Sequence, residues 1–310
     1  MSTVASRLVV MDWASFNPWR MQGFTHRLSD HPLVRRDSVE SLSARLEAEK
    51  RVLGFGEGVH AGTGINRAVN EFRHRRAAAE TVRGIEHARA WLSLRHIQSD
   101  PLYRTLVDDV LDDVRPFVER VDPGMCWRAG WVFVSSPGQI TPFHIDTEHN
   151  FLLQMLGHKR VHVWDHRDTV AVSDHARDHF LNHGGLDGLV WHDDLRARAR
   201  VFELGPGDGA YMPSTSPHMV ENGDRPSITM SFTYYTRATR RRALLHRLRD
   251  RCAMRGLDLP PVGSHPAIEA VASRALSGLR TVKGGVRRLL RMPTGREDVA
   301  YAIARTYGYD

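Results

Sequence analysis

Apolar residues in the first 120 positions recur at helical spacing, separated by loop-like stretches. Asp37 and Glu40 have capping-box spacing ahead of Leu42 and Leu46, which predicts a helix start. Asp100-Pro101 places a cap and a helix-initiating proline before Leu102, Leu106, Val107, Val110, Leu111, Val114, Phe117 and Val118. That spacing is the apolar stripe of an amphipathic helix. The glycine-rich run 54–64 reads as a loop and has neither dinucleotide-fingerprint nor Walker spacing. Residues 1–120 are therefore expected to form a helical and loop buttress.

Near Met125 the pattern shortens to strand-like runs with turn punctuation. The expected strands are Cys126–Ser135, Thr141–His149, Phe151–Leu156, Lys159–Asp165, Val201–Leu204, Gly209–Met212, His218–Asn222 and Ser227–Tyr235. Pro137-Gly138, Gly157, Gly205-Pro206-Gly207-Asp208 and Asn222-Gly223-Asp224 mark turns between them. Strands packed this densely predict a mainly β core, an antiparallel barrel or jelly roll, over 121–236. Residues 166–200 read as a His- and Asp-rich insertion without a clear period. Past Tyr235 helical spacing returns, first through Leu244, Leu245, Leu248 and Cys252, then from Ile268 to Leu289. This C-terminal region, 237–310, is expected to pack on the core or to form a homodimer through its helices.

Charge changes the picture of the tail. Residues 237–310 hold 16 Arg/Lys against 6 Asp/Glu, whereas 1–236 hold 27 against 30. A basic tail attracts nucleic acid or anionic lipid, but no aromatic-interleaved or recognised nucleic-acid motif accompanies it. A solvated helical face is the expectation and a nucleic-acid partner is not. No run reaches the roughly 20 apolar residues of a membrane-spanning helix, and the N-terminus lacks the pattern of a secretory signal. Cys126 and Cys252 are the only cysteines, which excludes a Cys-rich zinc site and points to a reducing, cytoplasmic setting.

The candidate chemistry begins with His144-Ile145-Asp146. On a strand, residues i and i+2 share a face, so His144 and Asp146 can converge on one ion. An imidazole from another strand would complete a facial triad of the kind that suits non-haem Fe(II). His218 follows a Gly-Asp turn, a short strand and a proline, where a barrel returns to the same rim. In a chain with 18 His the motif also arises by chance, and an ordinary histidine remains the alternative. Lys159 adds to the case. It is one of 3 lysines against 40 arginines and shares strand parity with Val161 and Val163. It should therefore point into the barrel, where an ammonium needs an anionic partner. A dianionic co-substrate would supply one, and its charge would balance Fe(II), Asp146 and Lys159 together.

The segment 144–164, preceded by Thr141-Pro142, together with 207–232, closely resembles the JmjC/cupin-8 oxygenases. This family includes the asparaginyl hydroxylase acting on hypoxia-inducible factor and bacterial cupin-like (jumonji) proteins. The resemblance covers about residues 125–236 and implies a double-stranded β-helix with flanking helices, often dimerising through C-terminal helices. It implies Fe(II) held by His144, Asp146 and His218, and 2-oxoglutarate gripped by Lys159 with support from Thr141. It also places Asn150 beside the metal–co-substrate pair. Thr141 has the wrong strand parity relative to His144 and requires a kink at Pro142. Ser231 and Thr233 stand where the asparaginyl hydroxylase has Asn and Trp, so the substrate is expected to differ. Trp91 could line the pocket or be a plain core residue. The implied reaction is hydroxylation coupled to oxidative decarboxylation of 2-oxoglutarate. The expected substrate is a peptide or protein side chain; alternatives are a small natural product or amino acid, N-methyl demethylation, or a non-catalytic metal-binding cupin regulator.

Overall fold

The computed structural model describes residues 7–276. In chain order its strands and helices begin with β1 (Val9–Val10), β2 (Gln22–His26), α1 (Arg36–Ala48), β3 (Val52–Phe55), α2 (Ile65–Glu71) and α3 (Ala78–Arg83). Next come β4 (Trp91–Arg95), α4 (Pro101–Val121), β5 (Cys126–Ser135), β6 (Ile140–His144), β7 (His149–Leu156) and β8 (Lys159–Val163). The last are α5 (Asp174–His183), β9 (Arg200–Leu204), β10 (Asp208–Met212), β11 (His218–Asn222), β12 (Ser227–Tyr235) and α6 (Arg237–Ala253).

From β5 to β12 the chain crosses between two antiparallel sheets. The smaller has the order β6-β11-β8-β9, and the larger contains the run β10-β7-β12-β5. This strand order is that of a double-stranded β-helix, as the sequence led us to expect. The N-terminal strands extend the larger sheet at both edges, β1-β2 beside β10 and β4-β3 beside β5. The expectation of mainly helices and loops before residue 120 missed four strands that lie there. Trp91-Leu92-Ser93-Leu94 is buried on both faces, and such a run has no alternation by which to distinguish strand from helix.

Both faces of the larger sheet are covered, so all nine residues of β12 are buried. Ile228, Met230, Phe232 and Tyr234 join the core that also contains Val107, Val110, Leu111 and Val114 of α4. Thr229, Ser231 and Thr233, of opposite parity, face the barrel interior. α4 begins as predicted, with the Asp100 side chain accepting from the Leu102 N–H. α1 does not: its N-cap is Arg35 and Asp37 lies in the first turn, where its charge suits the helix dipole without capping.

The insertion after β8 closes the outer face of the smaller sheet. Trp164, Phe180 and Leu181 pack with Phe143, Ile145 and Met219, and Ala243 of α6 joins them. It also contains a regular helix, α5, capped by Ser173 at one end and by Gly184 at φ 75° at the other. Among the described residues no helix is long and apolar enough to cross a membrane. Residues 266–276 are helical, in line with the start of the pattern predicted from Ile268 to Leu289. The rest of that pattern, and residues 277–310 of the proposed dimerisation region, lie outside the described residues.

Candidate active site

His144, Asp146 and His218 come together at one end of the barrel. Asp146 Oδ2 lies 4.0 Å from His144 Nε2 and 3.5 Å from His218 Nε2, and the imidazole centroids are 4.0 Å apart. The two histidines face each other across the β6–β11 ladder, where His218 pairs with His144. The motif does not lie wholly on a strand, contrary to the sequence reading. His144 ends β6, and Asp146 sits in the turn that follows. The alternation persists one residue further, because Ile145 is buried in the outer core.

The loop before β11 holds the backbone at Asp146 and Thr147 in place. The Thr215 N–H donates to Asp146 O at 2.8 Å, and Ser214 Oγ donates to Thr147 O at 2.7 Å. Thr215 adopts φ 61°, a costly conformation for a β-branched residue that the packed loop enforces. Buried His149 supports the same junction, its Nδ1 accepting from the Ser214 N–H at 3.1 Å, with Asp122 Oδ2 3.5 Å from Nε2.

The tautomers of the pair are also set. His144 Nδ1 donates to Pro142 O at 2.7 Å and His218 Nδ1 to Ser216 O at 3.0 Å. Each Nε2 is thereby left with its lone pair toward Asp146, the arrangement metal-bound histidines use. Burial, and then the neighbouring His144, push His218 down to about 4, so it is neutral at pH 7 and able to donate an electron pair. Two imidazoles with Nε2 free to coordinate and one carboxylate, beside the cavity, fit a mononuclear Fe(II) site.

Lys159 faces the same cavity from β8. It is 6% exposed, and Val161 and Val163 of the same parity are fully buried in the barrel core. Among the described residues no carboxylate pairs with it. Burial pulls its ammonium down to about 7. A lysine in that condition lacks an anion.

Thr141 enters the cavity through a β-bulge. Val220 pairs with Thr141 and His218 with His144, so two steps on β11 oppose three on β6. The extra residue restores parity and turns Thr141 and His144 to the same side. Pro142 is tolerated because β6 is the edge of its sheet. Asn150 lines the cavity from β7 and accepts from Ser231 Oγ at 2.8 Å.

The empty space of this cleft, counted with its mouth, is about 1010 Å³. Beyond His144, Asp146 and His218 its walls include Trp91, Trp131 and Phe133, with Arg95 and Glu148 as further charged members. Trp91 serves both roles considered for it, stacking on Phe55 at 4.7 Å and Phe133 at 5.6 Å while lining the cavity. Arg95, Trp131 and Glu148 were missed from sequence. Only Glu148 left a signal, two positions beyond Asp146 in the same motif.

Comparison with known proteins adds a relative. The chain is 26% identical over 158 residues to Jumonji C domain-containing protein 5 of Drosophila melanogaster. The likeness is to a Jumonji C protein. The match covers 48% of this chain and 39% of that protein, about two-fifths of the relative's length. No family model matches. Among solved structures, the Escherichia coli ribosomal oxygenase YcfD is 18% identical over 97% of this chain and 71% of its own, at TM-score 0.45. The DMSP lyase DddQ of Ruegeria pomeroyi is 19% identical over 35% of this chain and 38% of its own, at TM-score 0.23. The fold assignment rests on the strand order itself.

Proposed function

We propose that the chain is an Fe(II)- and 2-oxoglutarate-dependent oxygenase that hydroxylates a C–H bond of a peptide or protein side chain. The observation that carries this reading is a buried lysine without a counter-anion, facing the cavity that holds two imidazoles and a carboxylate. A metal-binding regulator has no use for that ammonium. A dicarboxylate that chelates the metal at one end and meets Lys159 at the other accounts for both. The similarity to a Jumonji C protein supports the same reading.

His144, Asp146 and His218 would hold Fe(II), and Lys159 with Thr141 would hold the distal carboxylate of 2-oxoglutarate. The bound metal and oxo acid would supply the oxidising chemistry, oxygen activation coupled to decarboxylation. The chain's own part is positional. The carbonyls of Pro142 and Ser216 keep the histidines in the coordinating tautomer. Asn150 and Ser231 present hydrogen-bonding groups beside the metal cluster. Trp91, Phe133 and Leu152 form an apolar wall that limits water around the reacting groups. Arg95 and Glu148, with the aromatic walls, give an incoming side chain both charged and apolar surfaces. The free cysteines Cys126 and Cys252 fit a reducing cytoplasm.

Anaerobic loading with Fe(II) and 2-oxoglutarate, followed by a succinate-release screen over peptides and metabolites in air, tests the proposal. Release that rises with a peptide supports it, and release that rises only with a metabolite moves the substrate to the small-molecule class. Absence of any 2-oxoglutarate binding would leave a metal-binding cupin instead.

A further inference from the structure

A second group of metal-ligating side chains lies outside the cavity, where α5 of the insertion meets α6. His175, His179 and His183 recur every fourth residue along α5, and one helical turn puts such residues on one face. His179 and His183 converge on Asp250 of α6: His183 Nε2 lies 3.0 Å from Asp250 Oδ2, and His179 Nδ1 3.8 Å from Asp250 Oδ1. The two imidazole centroids are 4.6 Å apart. One donor atom from each of the three residues falls within 4.8 Å of the others.

Asp250 is 2% exposed, and both histidines reach its carboxylate. Asn182 Nδ2 donates to Asp250 Oδ2 at 2.6 Å, a contact that orients the carboxylate as partners of metal-bound carboxylates do. A buried carboxylate on which two imidazoles converge offers a divalent cation three donor atoms from two helices.

We propose that His179, His183 and Asp250 form a second divalent-metal site, selective for a borderline transition ion and best suited to Zn(II). Two nitrogens at i and i+4 with a carboxylate from another helix are a zinc donor set. Tetrahedral ligands stand about 3.3 Å apart around zinc, so small side-chain adjustments seat the ion. A solvent molecule completes the shell, because both histidines are about half exposed. The ion clamps the insertion to the helix that follows the barrel, two segments far apart in sequence. It acts as a brace, separate from the oxygenase site.

The test uses the full chain carrying His144→Ala and His218→Ala, so that the cavity cluster no longer binds metal. Zn(II) titration against a chromophoric chelator should give one site per chain. Adding His183→Ala, a surface change that spares the fold, should weaken that site by at least about tenfold. Zn(II) should raise the thermal midpoint of the first variant and not of the second. No zinc bound in the double variant, or unchanged affinity on loss of His183, overturns the proposal.

Discussion

Thr141 and His144 lie three residues apart in β6, yet both face the cavity, because Val220 and His218 opposite them are only two apart. This bulge turns Thr141 into the cavity that Lys159 also lines, where the proposed function gives its hydroxyl the distal carboxylate of 2-oxoglutarate. Thr141→Val keeps the shape and removes the hydroxyl. A hydrogen bond to a charged group is worth about 1.5–3 kcal/mol, so 2-oxoglutarate should bind about ten- to a hundredfold more weakly. Metal affinity should not change. Calorimetry with Fe(II) present reads the first, and metal stoichiometry the second.

Lys159→Met should abolish 2-oxoglutarate-dependent succinate release while leaving metal binding largely intact. A native-like thermal shift with 2-oxoglutarate in this variant would remove the lysine from the site.

The same lysine makes co-substrate binding depend on pH. Burial holds its free-state pKa at about 7, whereas a dianion beside it favours the charged form. Above about pH 7, binding must take up a proton, so affinity should fall by up to about tenfold per unit. Below that it should flatten. Calorimetry in two buffers of different ionisation enthalpy would reveal the proton.

For stability of the apoprotein the sign is the reverse of an ordinary lysine ion pair. The folded-state pKa of about 7 lies below the usual 10.5, so between them the unfolded chain binds more protons. This group therefore makes folding more favourable as pH rises through that window. Lys159→Met should be more stable than the native chain near neutral pH, with the gap closing toward about pH 10. Urea unfolding of both proteins across the range gives the difference.

His144→Ala and Asp146→Asn, each made together with His183→Ala so that the α5–α6 cluster does not contribute, should lose most Fe(II) binding, the second without a change of shape. Retention of a full equivalent by both would eliminate the triad.

Gly157, in the turn that leads into Lys159, adopts φ 73°, and a Cβ there would sit 2.2 Å from Pro226 O. Gly157→Ala should cost upwards of about 2 kcal/mol, measurable by denaturant unfolding.

Much of the barrel was legible because its turns are strongly marked. β5, β11 and β12 have the bounds expected from Pro137-Gly138 and Asn222-Gly223-Asp224. The inward face of Lys159 was legible from its two valine neighbours. Other features depended on partners that no local pattern names. The end of β6 before Asp146 is set by its pairing with β11, and the bulge by a register between strands about 75 residues apart. Arg95 and Trp131 could not be placed in the cavity until β4 was known to pair with β5. The regularity of α5 was written in its histidines, every fourth residue, within a stretch whose apolar positions show no period.

Lys159 and His218 belong to neighbouring strands, with Val163 opposite His218 and Asn222 opposite Lys159. Four residues of antiparallel ladder, about 13 Å of backbone, therefore separate the ammonium's anchor from the imidazole's. On the proposed function, that interval would act as a ruler. Main-chain register would then set the length of diacid able to span from one group to the other, so selectivity against oxo acids one carbon longer or shorter would need no additional side chain.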